Sequence, residues 1–308
     1  MIDLNIDVPE EFLKEEELSG YTVSKKMKEV WAVELDLLAE LDRVCQKYSI
    51  RYFADAGTML GAIRHKGFIP WDDDIDVTMS RADYNRLCEV AFDEFQGNYF
   101  FQTEYSDRGS LRGHAQLRNS ATTGILKSEE GKRGFNQGIF IDIFPYDVVT
   151  DDKEKFMQQK KEAEKLKKKF RRCAKFTDFY GSSSFRFPKN LIAPLAHIYY
   201  KVFKKDYDED YAKFEEVCAR YNEESSKKIS LLSFSFDELH FQTREDYEEV
   251  IYVPFEFLKI PVPKGYHHAL IERFGDYNVF VRGGSFHGGV IFDTDTPYTN
   301  YLKNKKVN

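Results

Sequence analysis

Cysteine is scarce in this chain and never forms a CxxC pair: Cys45, Cys88, Cys173 and Cys218 are scattered through 308 residues. Neither a disulfide framework nor a cysteine-based metal site is expected, and a reducing cytoplasm fits best. No apolar run approaches the roughly 18–20 residues that cross a bilayer. Residues 1–17 are acidic and lack the apolar segment of a secretory signal. Internal repeats and low-complexity tracts are missing as well.

What is present is the balance of a soluble globular enzyme, 42% hydrophobic and 31% charged. The net charge of −7 conceals an asymmetry, because residues 153–205 hold sixteen Lys/Arg against four Asp/Glu. An acidic protein with one basic segment is not built to coat nucleic acid, but it has a face suited to something anionic. Residues 191–205 add an apolar, aromatic stretch before a lysine cluster. That pattern suits peripheral contact with the inner membrane face through 153–205, against the plainer alternative of a solvated helical hairpin packed on the core.

Apolar spacing predicts a helix over 24–48, a short strand over 50–54, a helix over 57–66, a strand over 74–79 and a helix over 81–95. Strand signals follow at 98–102, 114–118, 121–126 and 138–144. This mixture predicts an α/β (α+β) fold. The expected division is a catalytic core with an N-terminal helix over 1–150, a basic helical insertion over 151–225, and a C-terminal part over 226–308 that completes the core.

The densest chemical signal is Trp71-Asp72-Asp73-Asp74-Ile75-Asp76-Val77. On a strand over 74–77, Asp74 and Asp76 share a face about 6.8 Å apart. Hard oxygen ligands there suit Mg²⁺ or Mn²⁺; an acidic turn at a strand start is the bland alternative. Gly57-Thr58 opens a helix whose first N–H groups suit a phosphate, although the same dipeptide serves ordinary tight turns. Asp142 interrupts the otherwise apolar run 138–144, which is costly for a carboxylate unless it is hydrogen-bonded or metal-bound. Together Asp74, Asp76 and Asp142 form a candidate three-carboxylate metal site for phosphoryl chemistry, with Asp142 placed to take an acceptor proton. Arg64, His65 and Lys66 suit a donor diphosphate or, equally, a helix C-terminus. Arg118 either faces the cleft or is a solvated strand end. His287, in a glycine-flanked loop, is a candidate for donor or acceptor contact or, equally, a loop histidine with no catalytic role.

The segment from Ala54 through Gly57-Thr58, Arg64-His65-Lys66 and Pro70 to Val77 closely resembles the LicD family of phosphotransferases, which includes bacterial phosphorylcholine transferases and is related to the fukutin-related proteins. Residues 138–147 (GIFIDIFPYD) look like that family's second block. Residues 262–266 and 274–277, with His287, Asp293 and Pro297-Tyr298, are similar to its third. The resemblance implies a nucleotidyltransferase-like mixed sheet flanked by helices, with Gly57-Thr58 as the turn, Asp74 and Asp76 as the Asp-x-Asp pair and Asp142 as the third acid. It further implies a CDP-linked alcohol donor, CDP-choline above all, and a glycan or teichoic acid precursor as acceptor, lipid-linked in some members. A nucleotidyltransferase using an NTP and a non-catalytic glycan-binding homologue are the competing readings. Fukutin-related proteins carry a zinc-binding insertion; without a matching cysteine cluster, structural zinc is not expected here.

Overall fold

The computed structural model describes residues 1–130, 134–177, 198–200, 202, 206–283 and 289–304. A short hairpin, β1 (Glu16–Leu18) and β2 (Tyr21–Val23), leads into α1 (Lys25–Tyr48). Ser24 caps α1 by accepting the Met27 N–H, and Ser49 ends it in the left-handed conformation at φ 54°. The helix persists for 24 residues because its inner stripe, including Trp31, Leu35, Leu38 and Leu41, is wholly buried. Trp31 stacks on Phe68 with ring centroids 4.4 Å apart.

Next come β3 (Phe53–Ala54), α2 (Ala56–Arg64), β4 (Asp76–Ser80), α3 (Arg81–Glu94), β5 (Tyr99–Gln102), β6 (Ala115–Asn119), β7 (Thr123–Leu126) and β8 (Ile139–Val148). A basic helix, α4 (Lys153–Thr177), and an acidic one, α5 (Asp208–Ala219), follow. The chain then forms β9 (Lys228–Ser230), β10 (Gln242–Thr243), the hairpin β11 (Val250–Phe255) and β12 (Leu258–Pro263), α6 (Tyr266–Phe274), β13 (Val290–Asp293) and α7 (Tyr298–Asn304).

Seven strands make one mixed sheet around β8, which pairs in parallel with β4 and antiparallel with β6 and β9. β3 closes one side on β4, β5 closes the other on β6, and β10 extends β9. On β8, Ile139, Ile141 and Ile143 point to one face and are fully buried, among side chains that include those of α1. Asp142 is on the other face, as the two-residue period requires. The fold is therefore the expected α/β mixed sheet flanked by helices.

Two elements depart from the sequence expectation. The strand expected over 74–79 begins only at Asp76, so Asp74 precedes it. The turn closed by Asp72 N–H to Ile69 O and the crowding of three neighbouring carboxylates keep 72–74 out of the ladder. The strand expected over 138–144 runs on to Val148, because β9 takes up its last two residues after β6 has ended.

The apolar stripe of α4 (Phe156, Ala163, Leu166, Phe170) is buried against Tyr211, Phe214 and Val217 of α5. Its lysines Lys161, Lys165 and Lys168 face solvent. Among the described residues no helix is long and apolar enough to cross a membrane. Most of 191–205, including Lys201, Lys204 and Lys205, lies outside the described residues.

Candidate active site

Parallel pairing of β4 and β8 sets Asp76 directly opposite Asp142. The carboxylate pair thus forms across two strands, about 4.8 Å apart at the backbone, rather than along one strand as Asp74 and Asp76 were expected to do. The row continues through the sheet: Asp142 faces Gln116 on β6, and Gln116 faces Gln102 on β5. Four polar side chains in register across a sheet whose alternate face is apolar are a specified feature, since each buried one needs a partner.

Those partners are present. Gln116 Nε2 donates to Asp142 Oδ1 at 2.6 Å, and His114 Nε2 meets the same oxygen at 2.9 Å. Arg118 is completely buried, which corrects the solvated strand end expected for it. Its guanidinium donates to Gln102 Oε1 at 2.7 Å, to Gly138 O at 2.6 Å and to Gln116 Oε1, and lies over the Phe140 ring. Burial pulls its pKa down to about 9, and the Arg112 charge adds to the effect. Arg118 thus reaches Asp142 through Gln116 rather than facing the cleft. Burial also lowers the His114 pKa, against the pull of Asp142, so the ring is neutral near pH 7. A neutral ring that donates from Nε2 to Asp142 leaves Nδ1 as an acceptor, and that atom is buried without a partner.

The turn and the pair are tied together. Asp76 N–H donates to Thr58 Oγ1 at 2.8 Å, and Asp55 N–H donates to Asp76 O at 2.9 Å. Gly57 at the start of α2 leaves room for the acidic loop, because a Cβ there would come within 2.7 Å of Asp72 Oδ2 and displace that carboxylate. Just before it, Ala56 adopts φ 46°, the kind of strain that an over-determined site sustains.

Negative charge accumulates here. The carboxylate oxygens of Asp72, Asp73 and Asp74 gather within 4.8 Å of one another. Burial, then the Asp76, Asp72 and Asp73 charges, raise the Asp74 pKa well above the usual carboxylate range. Burial, then Asp142 and Asp55, do the same to Asp76, with Arg273 opposing them. Asp73 Oδ1 and Glu34 Oε2 are buried without hydrogen-bond partners. An all-oxygen donor set with orphaned buried carboxylate oxygens fits Mg²⁺ or Mn²⁺.

The comparisons with known proteins identify the family. Residues 49–205 match the family model described as LicD/FKTN/FKRP, nucleotidyltransferase domain. The chain is 30% identical over 253 residues to the lipopolysaccharide cholinephosphotransferase LicD of Haemophilus influenzae, covering 82% of this chain and 91% of that protein. This chain belongs to the LicD family. A shorter match, 34% over 79 residues, is to an uncharacterised protein of Rickettsia prowazekii, covering 25% of this chain and 28% of that one.

Not every residue expected at the site gathers at the carboxylates. Arg64, His65 and Lys66 are at the far end of α2, about 12 Å along its axis from Gly57. Arg64 donates to His65 Nε2 at 2.9 Å and to Tyr277 O at 2.9 Å, and its guanidinium lies over Phe280. Burial, with the Arg64 charge second, pulls the His65 pKa down to about 4, so this ring adds no positive charge at neutral pH. His287 lies outside the described residues.

Other residues at the LicD site were not singled out by sequence reasoning. Asp55 is buried and accepts Arg273 Nη1 at 3.2 Å and Gln242 Nε2 at 3.3 Å, which brings α6 and β10 to the base of the site. An Asp placed directly before the Gly-Thr turn was the available signal for it. His114 carried no local signal.

Proposed function

We propose that this chain is a metal-dependent transferase that moves phosphocholine, or a similar phospho-alcohol, from a CDP-linked donor to a hydroxyl of a cell-surface glycan precursor. The reading is carried by the in-register pair Asp76 and Asp142, tied to the Gly57-Thr58 turn and flanked by Asp72–Asp74. The transferase named LicD among its relatives supports the choice of phosphocholine.

Asp74, Asp76 and Asp142 would hold Mg²⁺ or Mn²⁺. When bound, such an ion neutralises a diphosphate and stabilises the leaving phosphate. The protein's own share is orientation and proton transfer. The acceptor hydroxyl attacks the phosphocholine phosphorus, the bond to the bridging oxygen breaks, and CMP leaves with that electron pair. Asp142 takes the hydroxyl proton. The bonds from His114 and Gln116 both fall on Asp142 Oδ1, and they fix the plane of the carboxylate. The first turn of α2 offers backbone N–H groups to a donor phosphate.

Aromatic rings beside Asp142 support a quaternary ammonium as the transferred head group. Phe144 shares the Asp142 face of β8, its ring is 4.2 Å from His114 and 5.7 Å from the half-exposed Phe234, and π-faces attract such cations. We further propose that 151–225 is an insertion into a catalytic core completed by 226–308.

The test is a panel of CDP-alcohols incubated with the protein and Mn²⁺, scored by CMP release, alongside CTP scored by pyrophosphate release. CMP release with CDP-choline leading is the expected result. Pyrophosphate from CTP with no CMP from any CDP-alcohol would overturn the reading in favour of nucleotidyl transfer.

A further inference from the structure

Glu34 was not among the residues expected at this site. It belongs to the buried stripe of α1, only 1% exposed, where an acid is out of place unless partnered. One turn earlier on the same helix face, Trp31 Nε1 donates to Asp72 O at 3.1 Å, anchoring α1 to the acidic loop. Glu34 is thereby held against that loop, and its Oε2 has no hydrogen-bond partner. Burial above all, then the charges of Asp73, Asp72, Asp76 and Asp142 in that order, push its pKa well above the usual range. Asp73 Oδ1 is the second buried carboxylate oxygen without a partner.

Two buried carboxylate oxygens without partners, with the charges of neighbouring carboxylates acting on Glu34, are unfavourable by desolvation and by repulsion. A divalent cation relieves both terms, and it does so on a donor set already gathered within 4.8 Å at Asp72, Asp73 and Asp74. We infer that Glu34 is a metal ligand supplied by α1, completing with Asp72 and Asp73 a second divalent-cation position beside the one at Asp76 and Asp142. This rests on the metal-dependent reading above and deepens it from one ion to two. Paired ions about 3.5–4 Å apart are the arrangement that clamps both the attacking and the leaving oxygen in phosphoryl transfer.

A structural role for Glu34, as a buried acid that braces α1, makes different predictions from a ligand role. Metal-stripped full-length protein is titrated calorimetrically with Mn²⁺ alone, and thermal melting is followed in EDTA and in Mn²⁺. Wild type is expected to bind two ions. Glu34→Gln, which keeps shape and loses charge, should bind one, with the second lost or weakened at least about tenfold. In EDTA it should melt no lower than wild type, since a repulsive charge has gone, and Mn²⁺ should raise its melting temperature less. Glu34→Met serves as a second variant with the same expected pattern. Two ions bound with unchanged affinity by both variants would overturn the ligand role. Lower melting in EDTA with unchanged binding would establish the brace instead. A single ion in wild type would remove the second position while leaving the Asp76–Asp142 reading intact. No Mn²⁺ binding by wild type would overturn both.

Discussion

Asp142 was legible at the residue scale, because a carboxylate inside an apolar strand stands out without any knowledge of its neighbours, and the structure supplies the partners such burial demands in His114 and Gln116. The mirror case is Arg118. Its sequence context, before Asn119-Ser120, suggested a strand end, yet it is wholly buried and satisfied by three acceptors. Replacing Arg118 with Met would orphan those acceptors, at about 1–3 kcal/mol for each buried group. A fall in melting temperature of several degrees or more is expected, together with a lower kcat, because Gln116 would lose the bond that aims it at Asp142. An unchanged melting temperature would contradict the burial. His65 offers a pH test. Its folded pKa of about 4 lies below the ordinary histidine value of about 6.5. The folded state therefore binds fewer protons, and the stability attached to His65 is present above about pH 6.5 and lost as pH falls toward 4. An NMR titration of the His65 ring should show its midpoint near 4; a midpoint at or above 6.5 would contradict the desolvated placement.

At the scale of elements, α1, α2, α3 and β8 were legible from spacing because each carries a long apolar period. The start of β4 was not, because it depends on contacts distant in sequence: the Asp76 amide is bonded to Thr58 Oγ1, eighteen residues away. Sequence spacing likewise placed the carboxylate pair along one strand, whereas pairing of β4 with β8 makes it across two. Glu34 and Asp55 were hidden for the same reason; the Arg273 partner of Asp55 is 218 residues away. The turn between β3 and α2 yields a prediction of its own. Gly57→Ala would push a methyl group to within 2.7 Å of Asp72 Oδ2. The carboxylate must move, so Mn²⁺ affinity and turnover should fall while the melting temperature changes by only a few degrees. Wild-type Mn²⁺ affinity in this variant would show that Asp72 has no share in the site.

For the molecule as a whole, charge is segregated. Asp72, Asp73, Asp74, Asp76 and Asp142 collect at one end of β4 and β8, and Lys161, Lys165 and Lys168 lie on the outer side of α4, whose apolar side is already covered by α5. Any membrane contact through α4 is therefore electrostatic, without insertion of that helix. Flotation with anionic vesicles should show binding that disappears in high salt and on replacing Lys161, Lys165 and Lys168 with Glu. Binding to zwitterionic vesicles that persists in high salt would contradict this.

The central claim is that Asp76 and Asp142, brought into register by β4 and β8, carry out metal-dependent transfer from a CDP-linked donor. The most direct measurement is CMP release from CDP-choline in Mn²⁺ by wild type, Asp76→Asn and Asp142→Asn, with melting curves beside it. Both variants should fold. Asp76→Asn should lose turnover and Mn²⁺-dependent donor binding together. Asp142→Asn should lose about 10²–10⁴-fold in turnover while holding the donor nearly as well as wild type. Near-wild-type CMP release by either variant would contradict the account.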